Sequence, residues 1–92
     1  MILGKVIGTV WSTRKDEKLV GSKFLIVKQI ELDYTMTKNF VVAVDSVGAG
    51  VGEIVLVAQG SSARQTTITH NKPVDAVIMA IVDKLDVVEK KK

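Results

Sequence analysis

Apolar positions along the chain fall into five short runs separated by charged or glycine-rich stretches, and their spacing predicts strands. From Ile2 to Trp11, apolar and small residues mix with Gly4 and Gly8, a pattern that fits a bent or closely approached strand. The charged cluster Arg14-Lys15-Asp16-Glu17-Lys18 then reads as an exposed loop tip, closed by Gly21, so the first two strands form a hairpin. Lys23 to Leu32 alternates from Lys28 onward and is apolar before it, as expected where half of a strand is covered on both faces. Asp33 to Asn39 is polar and turn-like. Phe40–Val44 and Ile54–Ala58 are two further β-type runs, read as consecutive strands across the Gly-rich stretch Asp45 to Glu53.

Gly60-Ser61-Ser62-Ala63-Arg64-Gln65 permits one helical turn, with a candidate N-cap serine. The run from Val74 to Val88 fits two periods. Val77, Ile81 and Leu85 match a helical i, i+4 stripe, whereas the β-branched Val77, Ile78, Ile81 and Val82 favour a doubly buried strand. Five strands and one helical turn predict an all-β fold, a small five-stranded OB-like β-barrel whose closure removes exposed edges.

Composition narrows the role. At 92 residues the chain supports one domain, taken as 1–88, followed by a basic tail, 89–92. Apolar residues make up 47% and aromatics only 4%, so the core must be aliphatic. There is no cysteine, which excludes disulfides and thiolate metal sites. No leader pattern is visible at Met1–Lys5, and the longest apolar run, Ala76 to Val82, is far short of the roughly 20 residues of a membrane helix. A soluble, cytoplasmic protein with no membrane partner is the expectation. The thirteen Lys/Arg include Lys90, Lys91 and Lys92, and the remainder balance the ten Asp/Glu, so the body is neutral and the +3 charge belongs to the tail. For so small a domain, a run as apolar as Ala76–Val82 also points to self-association.

Four segments, in order, resemble the EutN/CcmL family of bacterial microcompartment vertex proteins. They are Gly8-Thr9-Val10 through Thr13-Arg14-Lys15 to Leu19-Val20-Gly21-Ser22-Lys23; Val44-Asp45-Ser46-Val47-Gly48-Ala49-Gly50-Val51-Gly52-Glu53; Gly60-Ser61-Ser62-Ala63-Arg64; and Pro73-Val74-Asp75-Ala76 to Ile81-Val82-Asp83. The resemblance spans about residues 2 to 85. It implies an OB-like barrel with the final run as a strand, a homo-pentamer at the vertices of a polyhedral shell, hexameric shell proteins as partners, enclosed enzymes as neighbours, no cofactor and no catalysis. Trp11 and the short lysine-rich end depart from the pattern. A ring of identical subunits needs heterologous interfaces, one face of each copy complementing a different face of the next.

The loop Asp45–Glu53 is not a nucleotide cradle: Glu53 stands where a dinucleotide fingerprint needs its third glycine, a strand follows, and Gly-Lys-Ser/Thr is absent. Gly48, Gly50 and Gly52 suit positive φ or close approach, Asp45 is placed to accept loop N–H groups, and Glu53 to meet a basic residue across a subunit boundary. With Ala49, these residues form a candidate interface or pore loop. Arg64, the one arginine besides Arg14, is expected to hold Asp75, Asp83 or a neighbour's Glu53.

His70 has no second histidine or cysteine to share a metal, so no metal site is assigned. Ser61, Ser62, His70 and Asp75 offer hydrolase residue types without a nucleophile-elbow sequence. Trp11, Phe24, Tyr34 and Phe40 are the only rings. An OB-like single-stranded nucleic-acid module, the alternative function, would stack them along a basic groove. The neutral body favours core or interface packing instead, with Tyr34 as the most exposed ring.

Overall fold

The computed structural model describes residues 1–70 and 74–88; residues 71–73 and the lysine tail lie outside the described residues. Five strands form, β1 (Ile2–Val10), β2 (Phe24–Ile30), β3 (Met36–Asp45), β4 (Ile54–Gln59) and β5 (Ala76–Val82). They close into a barrel in the order β1-β2-β3-β5-β4. The expected small all-β barrel is therefore the fold, and the final apolar run is a strand. The helical turn expected after Gly60 is a 3-10 segment, Gly60–Arg64, and a second one, Glu17–Leu19, sits inside the charged loop.

Burial follows the pleat. One residue in two along each strand points inward, and Val6, Leu25, Val27, Ala43, Val55, Val57, Ala76 and Ile78 make one aliphatic core. No ring belongs to it, which is why so little aromatic content suffices. A smaller cluster, Val44, Ala58, Ala63, Val74 and Val77, lies on the outside of the wall beneath the Gly60–Arg64 turn, with Leu19 and Phe24 at its border. Thr69 anchors the segment beyond that turn by donating its hydroxyl to the Ala63 carbonyl at 2.6 Å.

Two features correct the sequence reading, and the strand order adds a third that it did not address. Met36–Asn39, expected as turn, begins β3 and extends the β2–β3 ribbon; its side chains are exposed or only partly covered, so burial imprints no apolar period on it. The strands β3 and β4, consecutive in the chain, are not neighbours: β5 inserts between them, antiparallel to β4 and parallel to β3. The β3–β5 seam is short, pairing only Val44 with Val77 and Asp45 with Ile78, so among the described residues β3 from Met36 to Ala43 has one edge without a strand partner. Finally, β2 alternates in burial from Phe24 to Lys28 and loses the alternation at the irregularity before the buried Ile30. Phe24 and Ile26 point outward and remain partly exposed rather than buried by their own chain.

At Gly4 the β2 strand crowds the space a side chain on β1 would need. A Cβ there would overlap the Val27 Cγ1 methyl and stand 2.8 Å from the Lys28 carbonyl oxygen, so only hydrogen fits.

Candidate functional site

The loop from Asp45 to Glu53 is held by its own carboxylates. Asp45 Oδ1 accepts the N–H groups of Val47 (3.0 Å), Gly48 (3.1 Å) and Ala49 (3.1 Å), an arrangement that suits a short side chain with an acceptor oxygen at the loop's start. Glu53 Oε1 accepts the Gly50 N–H at 2.7 Å. The loop then docks on β1: the Val6 N–H donates to the Glu53 carbonyl at 2.9 Å, and the Gly52 N–H to the Val6 carbonyl at 2.8 Å. Gly48 and Gly52 take the left-handed region (φ 79° and 96°), whereas Gly50 does not. Ala49 is buried and joins the barrel core. The structure thus gathers Asp45, Gly48, Ala49, Gly50, Gly52 and Glu53 into one self-bonded unit. The described Glu53 contact is to its own loop, not to a basic residue.

Arg64 stands apart from that loop. Its Nη1 donates to the Val74 carbonyl at 3.3 Å, across the mouth of the segment it closes. Its described partner is that carbonyl; neither Asp75 nor Asp83 makes this bond. Residue His70 is exposed beside Gln65, Thr66 and Thr67 in a shallow depression. Among the described residues no hydrogen bond joins Ser61, His70 and Asp75, and no three His, Asp or Glu side chains converge.

The outer surface carries the larger signal. Cross-strand pairs out of phase with the core point outward, and two groups of them are apolar. On β1, β4 and β5, Leu3 pairs with Leu56, Ile54 with Val82 and Leu56 with Ala80, all partly exposed. On β2 and β3, Ile26 pairs with Val42 and Lys28 with Phe40; Phe40 is 62% and Val42 42% exposed. The barrel order puts these two walls on opposite sides of the molecule. Isolated exposed aliphatics are ordinary, but contiguous patches mark contact surfaces.

The rings are distributed differently from the sequence expectation. None is in the core, and Trp11 (89%) and Phe40 (62%) are both more exposed than Tyr34 (47%). Sequence reasoning had two signals for the walls, the apolar run Ala76–Val82 and the apolar stretch before Lys28 that includes Phe24 and Ile26, and it could not distinguish cover by the same chain from cover by another.

A family model described as ethanolamine utilisation protein EutN/carboxysome matches residues 1–83. The chain is 49% identical to the bacterial microcompartment shell vertex protein GrpN of Rhodospirillum rubrum, over 96% of this chain and 99% of that one. It is 46% identical to the bacterial microcompartment shell vertex protein PduN of Salmonella typhimurium, over 92% and 98%. In three dimensions it superposes on CcmL of Nostoc sp. PCC 7120 with a TM-score of 0.91 at 43% identity, covering 95% of this chain and 92% of that chain. It superposes on the GrpN pentameric microcompartment shell protein with a TM-score of 0.87, covering 96% and 100%.

Proposed function

Since the chain belongs to the EutN/CcmL family, we propose that it is a structural vertex subunit of a bacterial microcompartment shell, working as a closed ring of five copies. A sheet of six-fold tiles closes into a polyhedron only where five-fold units occupy the corners, so the task needs shape and cohesion rather than chemistry. The observation that carries the reading is the pair of apolar walls on opposite sides of one barrel. A ring requires two unlike faces on each copy. The Leu3–Leu56–Ala80–Val82 wall of one protomer meets the Ile26–Val42–Phe40 wall of the next, and copies related by a fifth of a turn close without an open end.

Hexameric shell proteins are the lateral partners of such a ring and enclosed enzymes its neighbours; its location is the shell of a cytoplasmic compartment. No catalytic step and no cofactor is assigned. The loop Asp45–Glu53, bonded within itself and onto β1, suits a fixed rim at an interface or opening rather than a moving part.

A second reading retains a physical basis, because Phe40 faces outward beside Lys28 on the β2–β3 wall, as in barrels that stack single-stranded bases. The two are separated by native mass and salt. Sedimentation of the full chain is expected to give five copies that persist in high salt. A single chain at all concentrations, or an oligonucleotide affinity falling steeply with salt, would overturn the shell reading in favour of the other.

A further inference from the structure

The two ends of β2 carry opposite chemistry. At its start, the loop between β1 and β2 bears Arg14, Lys15, Lys18 and Lys23 against Asp16 and Glu17. That loop is ordered by its own bonds: Asp16 caps the 3-10 turn by accepting the Lys18 N–H at 2.9 Å, and the Ser22 N–H donates to the Leu19 carbonyl at 3.0 Å. Trp11, Lys15, Ser22, Lys23 and Phe24 line a cavity of about 230 Å³ here. Lys15 Nζ stands 5.8 Å from the centre of the Phe24 ring, and the indole of Trp11 lies almost wholly in solvent. The buried Ser22 Oγ, on a lining residue of this cavity, has no hydrogen-bond partner among the described residues.

At the far end of β2 the turn Glu31–Thr35 is acidic and equally ordered. The Glu31 N–H donates to the Thr35 carbonyl (2.8 Å), the Tyr34 N–H to the Glu31 carbonyl (3.0 Å) and the Thr35 N–H to Asp33 Oδ1 (3.0 Å). The hydrogen bonds from Thr35 hold the pKa of the Asp33 carboxyl below its ordinary value. Leu32, 62% exposed, projects between the two acids.

Each end adjoins a different wall. The basic cavity takes Thr9 and Val10 from the end of β1, a strand of the Leu3–Leu56 wall, and Trp11 just after it, with Phe24 at the start of β2. The acidic turn joins β2 to β3 and so continues the Ile26–Val42–Phe40 wall, while its Tyr34 hydroxyl also accepts the Leu85 N–H at 3.3 Å.

Resting on the ring described above, we propose that its subunit boundary is fastened by a second copy of this chain, the acidic Glu31–Thr35 turn of one protomer seating Leu32 and its flanking carboxylates in the Trp11–Lys15–Lys23–Phe24 cavity of the next. Opposite charge at the two ends of one strand makes the contact directional, since like ends repel, and so selects head-to-tail joining over a two-fold dimer. Apolar walls supply cohesion; the charged clasp supplies register and speeds encounter. Trp11, otherwise an unexplained ring in water, becomes the wall against which Leu32 packs.

Charge reversal on the full-length chain tests the clasp. Lys15→Glu, Lys23→Glu and Glu31→Lys each change an exposed charge that the structure ties to no described ion pair. Each is expected to weaken ring association about three- to tenfold by sedimentation near 50 mM salt, with the effect fading near 500 mM. Combining Lys15→Glu with Glu31→Lys, or Lys23→Glu with Glu31→Lys, is expected to restore association to within about twofold of the original, because the charge pair is re-formed with its sign exchanged. Trp11 is the sole tryptophan, and its emission should move to the blue as rings form in the parent chain and the double variants. Reversals without effect, or double variants weaker than either single one, overturn the clasp while the ring stands. Rings that keep their mass but no longer co-assemble with hexameric shell proteins overturn it too, placing the cavity's partner outside the ring. A parent chain that stays single at every concentration overturns the ring and the clasp together.

Discussion

Phe40 offers the most direct measure of what the β2–β3 wall contributes. A phenylalanine presents about 150–250 Å² of surface, and at 62% exposure roughly 120 Å² of Phe40 stands open to water in the single chain. Covering that area at ~25 cal/mol per Å² yields about 3 kcal/mol. Replacing the ring with the alanine methyl forfeits about 2 kcal/mol of it. Phe40→Ala should therefore weaken each subunit contact by about 30-fold. The fold itself should hardly notice, because the ring packs against no part of the barrel core. Sedimentation or native mass spectrometry across a dilution series gives the association constant, and thermal unfolding of the dissociated chain gives the control. An association constant within about threefold of the original, with unfolding unchanged, would refute the assignment of this wall to the boundary.

Two further outcomes test the scaffold. Asp45→Ala removes the acceptor of three loop N–H groups; two of these can turn to water, so a loss of about 2 kcal/mol is expected, seen as a melting point lower by roughly 10 °C at fixed chain concentration. Asp45→Asn, which keeps an oxygen in place, should cost less than half of that. Gly4→Ala forces a methyl against the Val27 side chain and the Lys28 carbonyl, and since Lys28 lies in a strand paired on both sides its backbone has little room to yield. Urea unfolding should show a loss of about 1–3 kcal/mol with an unchanged slope.

Much of the fold was legible from spacing. Runs such as Ile54–Ala58 and Ala76–Val82 are strands because β-branched residues filled both phases of the pleat, and the barrel follows from having five of them and no long helix. Met36–Asn39 escaped detection for a physical reason: a ribbon wetted on both faces has no buried face to write an apolar period into its sequence. The insertion of β5 beside β3 was equally hidden, since one parallel contact of two residue pairs leaves no local signature. In the loop, the role of Asp45 could be read because an aspartate bonds the N–H groups just ahead of it. The partners of Glu53 and Arg64 could not, because backbone N–H and carbonyl groups are present at every position and mark none. For Trp11 and Phe40, composition said how many rings there were, not which side of a one-layer wall they stood on. Their exposure became visible only when the alternation of β1, β2 and β3 was fixed by closure.

The half-zipped seam between β3 and β5 bears on the life of a protomer before it meets its neighbours. A bare strand edge bordered by Met36, Phe40 and Val42 is a template on which any extended chain can polymerise. Lys38, exposed midway along it, works against such stacking by bringing like charges together at every layer. Synthesis far ahead of shell construction would then leave a pool of orphan subunits guarded by a single ammonium group, so supply matched to demand becomes a requirement of the architecture itself.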